Sequence, residues 1–354
     1  MARLVLSDGT EFSGYSFGSK RSVSGEVVFN TGMVGYPESF TDPSYRGQIL
    51  VLTYPLIGNY GVPGDDLDSF GLKKCFESDS IHIRGLVISD YSRTYNHWSS
   101  KRSLSEWLIE HNIPAICGID TRALTKILRE KGVMLGKILL GDEPELYDPN
   151  LDNLVSEVSV KEPIKYGTGE KKAVLVDCGC KYSIIRSLFE KGIQVIRVPW
   201  DYDFTRLDYD GLFISNGPGD PKMCKATIMN IRKALRQDKP IMGICLGNQL
   251  LALAAGADTY KLRYGHRSQN QPCIDLETGR CYITSQNHGY AVDTKTLPLG
   301  WEAWWENAND GTNEGIRHKT KPFCSVQFHP EATPGPADTS FLFDRFVEML
   351  NENT

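Results

Sequence analysis

The stretch Ile241-Met-Gly-Ile-Cys-Leu-Gly-Asn-Gln-Leu-Leu-Ala252 decides the fold. An apolar run ends in Gly243-Ile-Cys245-Leu-Gly247 and passes without a break into a helical pattern. A buried strand that turns at once into a helix belongs to a doubly wound α/β sheet. The turn has the form of a nucleophile elbow with cysteine at its tip, where flanking glycines admit a bend too tight for side chains. A helix N-terminus favours a thiolate at that position, and the N–H of Leu246 is placed to serve an oxyanion. Taken alone, the same residues also fit a buried cysteine between close-packed glycines.

Outward from the elbow, strands and helices alternate. Ala173-Val-Leu-Val176, Gln194-Val-Ile-Arg-Val198 and Gly211-Leu-Phe-Ile-Ser215 read as strands, with helices across 183–191 and 226–236. Ser215-Asn-Gly-Pro-Gly-Asp-Pro221 follows a strand end, where loops frame ligands in open sheets. It is equally a plain tight turn, and it is not a P-loop, since no Gly-Lys-Ser/Thr follows. Thr284-Ser-Gln-Asn-His-Gly-Tyr290 reads as a hairpin loop. Cys324-Ser-Val-Gln-Phe-His-Pro-Glu331 reads as a strand whose alternation puts His329 and Glu331 on one side, a base with its orienting carboxylate. A surface histidine near a loop glutamate, or half a metal site, fits as well, although the other six histidines show no ligand spacing.

The amino-terminal half has another texture. Short apolar runs (Leu4-Val5-Leu6, Val27-Val28-Phe29, Ile49 to Leu52, Leu86-Val87-Ile88) are set off by Gly, Pro, Asp and Ser, as in a β-rich domain. Two helices interrupt them, at 103–111 and at 121–131, the second capped by Asp120 or Thr121 and closed by Gly132. From about Gly141 to Lys172 the periodicity fades among prolines. The expected organisation is a docking or scaffold domain over 1–145, a linker over 146–171 and an α/β domain over 172–354.

Composition narrows the class. The 354 residues carry 39 basic and 44 acidic side chains, a net charge of −5, which leaves no basic footprint for nucleic acid. No apolar run reaches the roughly 18 residues needed to cross a bilayer, so no membrane role is expected. The start turns polar too early for a signal peptide. Nine cysteines without a C-x-x-C pair suit a reducing, cytoplasmic setting, and no metal is expected; Cys178-Gly-Cys180 is the one close pair.

Strand–Cys–helix, a Gly-rich loop before it and His-Pro-Glu some eighty residues later together resemble the class I (triad) glutamine amidotransferases over 172–350. Gly25 to Glu38, Thr41-Asp-Pro-Ser-Tyr45, Gln48 to Gly61, Gly118-Ile-Asp-Thr-Arg122 and Ser268-Gln-Asn-Gln-Pro272 resemble the carbamoyl-phosphate synthase small subunit. Within that family the chain looks like the glutaminase segment of fused eukaryotic pyrimidine-pathway enzymes. The resemblance implies a flavodoxin-like, mostly parallel sheet and glutamine hydrolysis, with Cys245 as nucleophile, His329 as base and Glu331 as orienter. It implies that L-glutamine is held by Ser44, Gly217, Gly219, Leu246, Gln249, Asn287, Gly289 and Tyr290. It further implies a synthetase partner, a large subunit or domain, which uses ATP, Mg and bicarbonate in pyrimidine or arginine biosynthesis; no cofactor is expected in this chain. Two positions depart from the family: Asn248, where many glutamine-using members have His, and Tyr290, where Phe is more usual.

Overall fold

A computed structural model describes residues 1–352; the last two residues of the expected carboxyl-terminal domain lie outside them. The chain divides into two compact units, Met1–Asp152 and Asn153–Thr354.

The first unit is a closed seven-stranded barrel. Its order is Ala2–Leu6, Met134–Leu139, Val23–Asn30, Gln48–Leu52, Gly85–Val87, Ala115–Cys117 and Glu11–Ser16, and the last pairs back with the first. Closure leaves the sheet no free edge. The strand Val23–Asn30 is buried throughout, so no polar alternation marks it in the sequence. Both expected helices form. Leu104–Glu110 is started by a reciprocal capping box between Ser103 and Glu106, and Thr121–Lys131 by the Asp120 carboxylate accepting from the Ala123 N–H.

The second unit is built on one ten-stranded sheet. Its parallel centre runs Gln194–Pro199, Lys172–Asp177, Gly211–Ile214, Ile241–Ile244 and Phe323–Val326. In chain order that is 2-1-3-4-5, the flavodoxin order. The central strands are apolar on both faces because helices cover both, and Val174, Leu212, Ile214 and Ile241 pack with Leu250 and Leu251 in one core. Antiparallel strands extend the sheet beyond Phe323–Val326: Asn313–His318, Trp301–Asn307, Asp258–Asp275 and Cys281–Asp293.

Three local readings of the sequence differ from the structure. Residues 146–171, expected as a linker, carry the 3-10 turn Pro149–Leu151, the short helix Val155–Val158 and the strand Ile164–Tyr166, which pairs with Gln194–Pro199. These pieces are too short for their periodicity to stand out. Thr284 to Tyr290, expected as a hairpin loop, lies inside the strand Cys281–Asp293, held by pairing with Asp258–Asp275 rather than by its own propensity. The strand before His329 stops at Val326, so alternation along it does not place His329 and Glu331.

Candidate active site

Cys245 caps the helix Leu246–Ala255 with φ 55 and ψ −104, a conformation that non-glycine residues avoid. The surroundings impose it. Its N–H donates to Val326 O at 2.8 Å, tying the turn to the neighbouring strand. A Cβ on Gly243 would stand 2.6 Å from Gly247 O, and one on Gly247 would stand 2.3 Å from Ile214 O. The strand and helix therefore meet with backbone against backbone, which only glycine permits. Strain concentrated on one nucleophilic residue is typical of an active-site turn.

His329 and Glu331 lie beyond their strand in a bend anchored by the His329 N–H donating to Ser285 O at 2.9 Å. Both are buried, and Nδ1 of His329 stands 2.6 Å from Oε1 of Glu331. Burial by itself disfavours charge on the imidazole. The Glu331 carboxylate and then the Cys245 sulfur outweigh it, pushing His329 up to about 10. The opposite nitrogen, Nε2, has no hydrogen-bond partner of ordinary geometry, yet Cys245 is near enough to favour the protonated ring. Such bonds are often loose before substrate arrives.

Glu331 has a second partner that the sequence did not announce. Lys181 is buried, with Nζ 3.1 Å from Glu331 Oε1, and it donates to Ala332 O at 2.7 Å. Burial would raise the Glu331 carboxyl, but Lys181 and His329 bring it down to about 2. Lys181 is held in turn: its backbone N–H donates to Asn216 Oδ1, and Asp177 Oδ1 accepts from Gly179 and Cys180 just before it. The Cys178-Gly-Cys180 pair thus forms the tight turn that delivers Lys181. The signal available was an unusual one, a lysine following a buried strand end.

The remaining carboxyl-terminal candidates gather around the elbow. Asn287 places its carbonyl 3.7 Å from the Cys245 sulfur. Gly217 passes so close to the Cys178 backbone that a Cβ would lie 2.0 Å from its oxygen. Gly219 has φ 84 in the same loop. Leu246 is the first residue of the helix, and its backbone N–H is among those a helix leaves without an internal acceptor. Gln249 donates its Nε2 to Tyr290 O at 2.9 Å and to Gln327 Oε1 at 3.1 Å. Gly289 and Tyr290 are half-buried on the strand that carries Asn287. Asn248 bonds to Ser325 Oγ at 2.8 Å and to Gln327 Oε1 at 3.3 Å, so this departure is absorbed in packing behind the elbow. Ser44 belongs to the first unit, buried in the 3-10 turn Pro43–Tyr45 with its N–H on Asp42 Oδ1.

A cysteine strained onto a helix N-terminus, a buried histidine and a carboxylate thus gather on one flavodoxin-like sheet. Residues 174–349 match the family model described as glutamine amidotransferase class-I. Residues 4–138 match the carbamoyl-phosphate synthase small chain, CPSase domain, and the chain belongs to that small-chain family. Similar curated proteins include the multifunctional protein CAD of Squalus acanthias, 57% identical over 99% of this chain and 16% of its own length. The multifunctional protein pyr1-3 of Dictyostelium discoideum is 55% identical over 98% of this chain and 17% of its own. The mitochondrial carbamoyl-phosphate synthase (ammonia) of Homo sapiens is 52% identical over 99% and 24%. The chain thus spans between 16% and 24% of the length of these relatives. Among the described residues no helix is long and apolar enough to cross a membrane.

Proposed function

We propose that this chain is the glutamine-hydrolysing component of a carbamoyl-phosphate synthase. The observation that carries the reading is the strained Cys245 beside a buried His329 backed by Glu331. The Cys245 thiolate attacks the side-chain amide carbon of glutamine, and the oxyanion is met by the N–H groups of Gly217 and Leu246. His329 gives its proton to the leaving nitrogen, ammonia departs, and a γ-glutamyl thioester remains. Water then attacks the thioester with His329 as base, releasing glutamate and restoring the thiol. Glu331 stabilises the imidazolium and fixes which nitrogen faces the sulfur. Because Gln249 spends its amide nitrogen on Tyr290 and Gln327, its Oε1 is the group it offers to an α-ammonium. Asn287, Gly289, Tyr290 and Gly219 line the remainder of the glutamine site.

The ammonia released passes to a synthetase subunit or domain, which consumes bicarbonate and ATP with Mg; this chain itself uses no cofactor. The small-chain match of residues 4–138 supports that partnership and a place in pyrimidine or arginine synthesis. Nine cysteines without a C-x-x-C pair support a reducing, cytoplasmic site of action. The family resemblance also assigns Ser44 to glutamine binding, and Ser44→Ala then raises KM for glutamine; an unchanged KM removes that assignment. The main test is Cys245→Ser. Glutamate release and glutamine-dependent carbamoyl phosphate formation vanish, while ammonia-dependent formation by the partnered enzyme persists. Glutamine use that survives the substitution refutes the proposal.

A further inference from the structure

Behind the strand that carries Asn287 lies a second buried cluster that the hydrolysis does not use. His266 and His288 are register partners on the paired strands Asp258–Asp275 and Cys281–Asp293, with ring centroids 5.0 Å apart, edge to face. Two carboxylates from the neighbouring hairpin close on His266. Asp310 Oδ2 is 2.8 Å from Nε2 and Glu314 Oε1 is 3.3 Å from Nδ1. Glu314 is completely buried, and its charge is shared with Asn307 Nδ2 at 3.1 Å. Nε2 is hydrogen-bonded to Asp310, while Nδ1 meets Glu314 as an ion-pair contact outside hydrogen-bond geometry; a carboxylate on each side favours the protonated ring.

We propose that His266 is a positioning residue, an imidazolium clamped between Asp310 and Glu314, which fixes the wall of the glutamine pocket from behind. The proposal rests on the glutamine-hydrolysing reading above. Burial first, and then the charge on His266 with a smaller part from Arg267, keeps His288 neutral. A neutral His288 has one N–H, which it donates from Nδ1 to Tyr290 O at 2.8 Å, the same carbonyl that accepts from Gln249. The pocket wall and the elbow helix are thereby joined at one oxygen. Gly265 packs the bulged strand tightly there, since a Cβ would lie 2.3 Å from His288 O. The clamp also reaches the catalytic bend, because Glu314 O accepts from the Gln327 N–H two residues before His329.

The cation in the clamp is a proton rather than a metal ion. His288 Nδ1 is engaged by Tyr290 O and Nε2 by the Gln286 side-chain amide at 2.9 Å. With His288 neutral, its bare Nε2 is served by the NH2 end of the Gln286 amide turned towards it, which leaves His266 and Glu314, too few donors for a zinc site. The charged or titratable groups facing the ring are Asp310, Glu314, His288 and Arg267, with Tyr260 and Cys273 close to the carboxylates. Burial opposes the charge on His266, but the two carboxylates raise it to about 9.

Glu314→Gln tests the clamp, with Asp310→Asn as the second variant because Asp310 is 42% exposed and its loss is easier to tolerate. Two readouts are taken on the whole chain: imidazole titration by NMR, and KM and kcat for glutamine from pH 6 to 10. His266 titrates near 9 in the parent and at least one pH unit lower in each variant. The pH at which KM rises moves down with it, so that at pH 8.5 KM is about tenfold higher in Glu314→Gln, as expected for about one hydrogen bond misplaced, while kcat stays within about threefold. The substrate's own amino group titrates identically for all three proteins. Identical imidazole titrations in parent and variants, a KM raised equally at every pH, or one tightly held equivalent of zinc lost in Glu314→Gln overturns the proposal. Should the chain hydrolyse no glutamine, the NMR titration still judges the clamp, and only the functional reading falls.

Discussion

Replacing Glu331 by Gln removes one charge from the buried row Lys181–Glu331–His329 while keeping its shape. The carboxylate touches Nδ1 at 2.6 Å, but the imidazolium charge is spread over the ring. Taking charge centres about 4 Å apart and an effective dielectric near 20, the attraction lost is about 4 kcal/mol. Hydrolysis of the thioester creates the imidazolium from a neutral ring, whereas thioester formation starts from one already charged, so this energy enters the hydrolysis barrier almost whole. At 1.36 kcal/mol per decade, kcat falls roughly a thousandfold. Lys181 keeps its bond to Ala332 O but loses its carboxylate, and the variant also loses stability, as breaking a buried ion pair does. The double substitution Lys181→Met with Glu331→Gln removes that second effect and separates stability from catalysis. The assay is glutamate release across pH 6 to 10, with the rates of thioester formation and breakdown resolved by rapid quench. A kcat within threefold of the parent, with an unmoved pH profile, refutes the role given to Glu331.

Other outcomes follow from the same geometry. Gly217→Ala pushes the loop away from Cys178 O, and one misdirected oxyanion donor lowers kcat by about 10²–10³-fold with a smaller effect on KM, read by steady-state kinetics. Acid stability follows Glu331. Its folded carboxyl sits near 2 against an ordinary 4.5, so the stabilisation is complete above pH 4.5 and is lost as the pH falls through about 2. Denaturant midpoints measured from pH 5 to 2 decline in the parent and decline less in the double Lys181/Glu331 variant. Leu251→Ala, at a fully buried position in the sheet–helix core, costs about 3 kcal/mol and lowers the unfolding midpoint of the second unit.

Much of this was legible in the sequence for a physical reason. A strand buried on both faces is a continuous apolar run, and a nucleophile elbow needs glycines at fixed positions, so residues 241–252 carry both fold and candidate nucleophile openly. Long helices with local caps, such as Thr121–Lys131, declare their own ends. What stayed hidden depends on contacts between distant segments. His329 and Glu331 do meet, but what holds them together is a bend braced by Ser285 rather than strand alternation. Lys181 reaches Glu331 across 150 residues, and no local pattern records that meeting. The segment Thr284–Tyr290 is polar because it faces the Cys245 elbow and packs a histidine cluster, and polarity in a sequence reads as loop. The small pieces within 146–171 gain their structure from the edge of a sheet that they join.

The most direct test of the central claim is to trap the enzyme during turnover with glutamine, digest it and locate the acyl group by mass spectrometry. The account predicts a γ-glutamyl thioester on Cys245 alone, absent in Cys245→Ser and accumulating when His329 is replaced by Asn in proportion to slowed hydrolysis. Glutamate formed with no acyl group on Cys245, or an acyl group carried by any other of the nine cysteines, would contradict it.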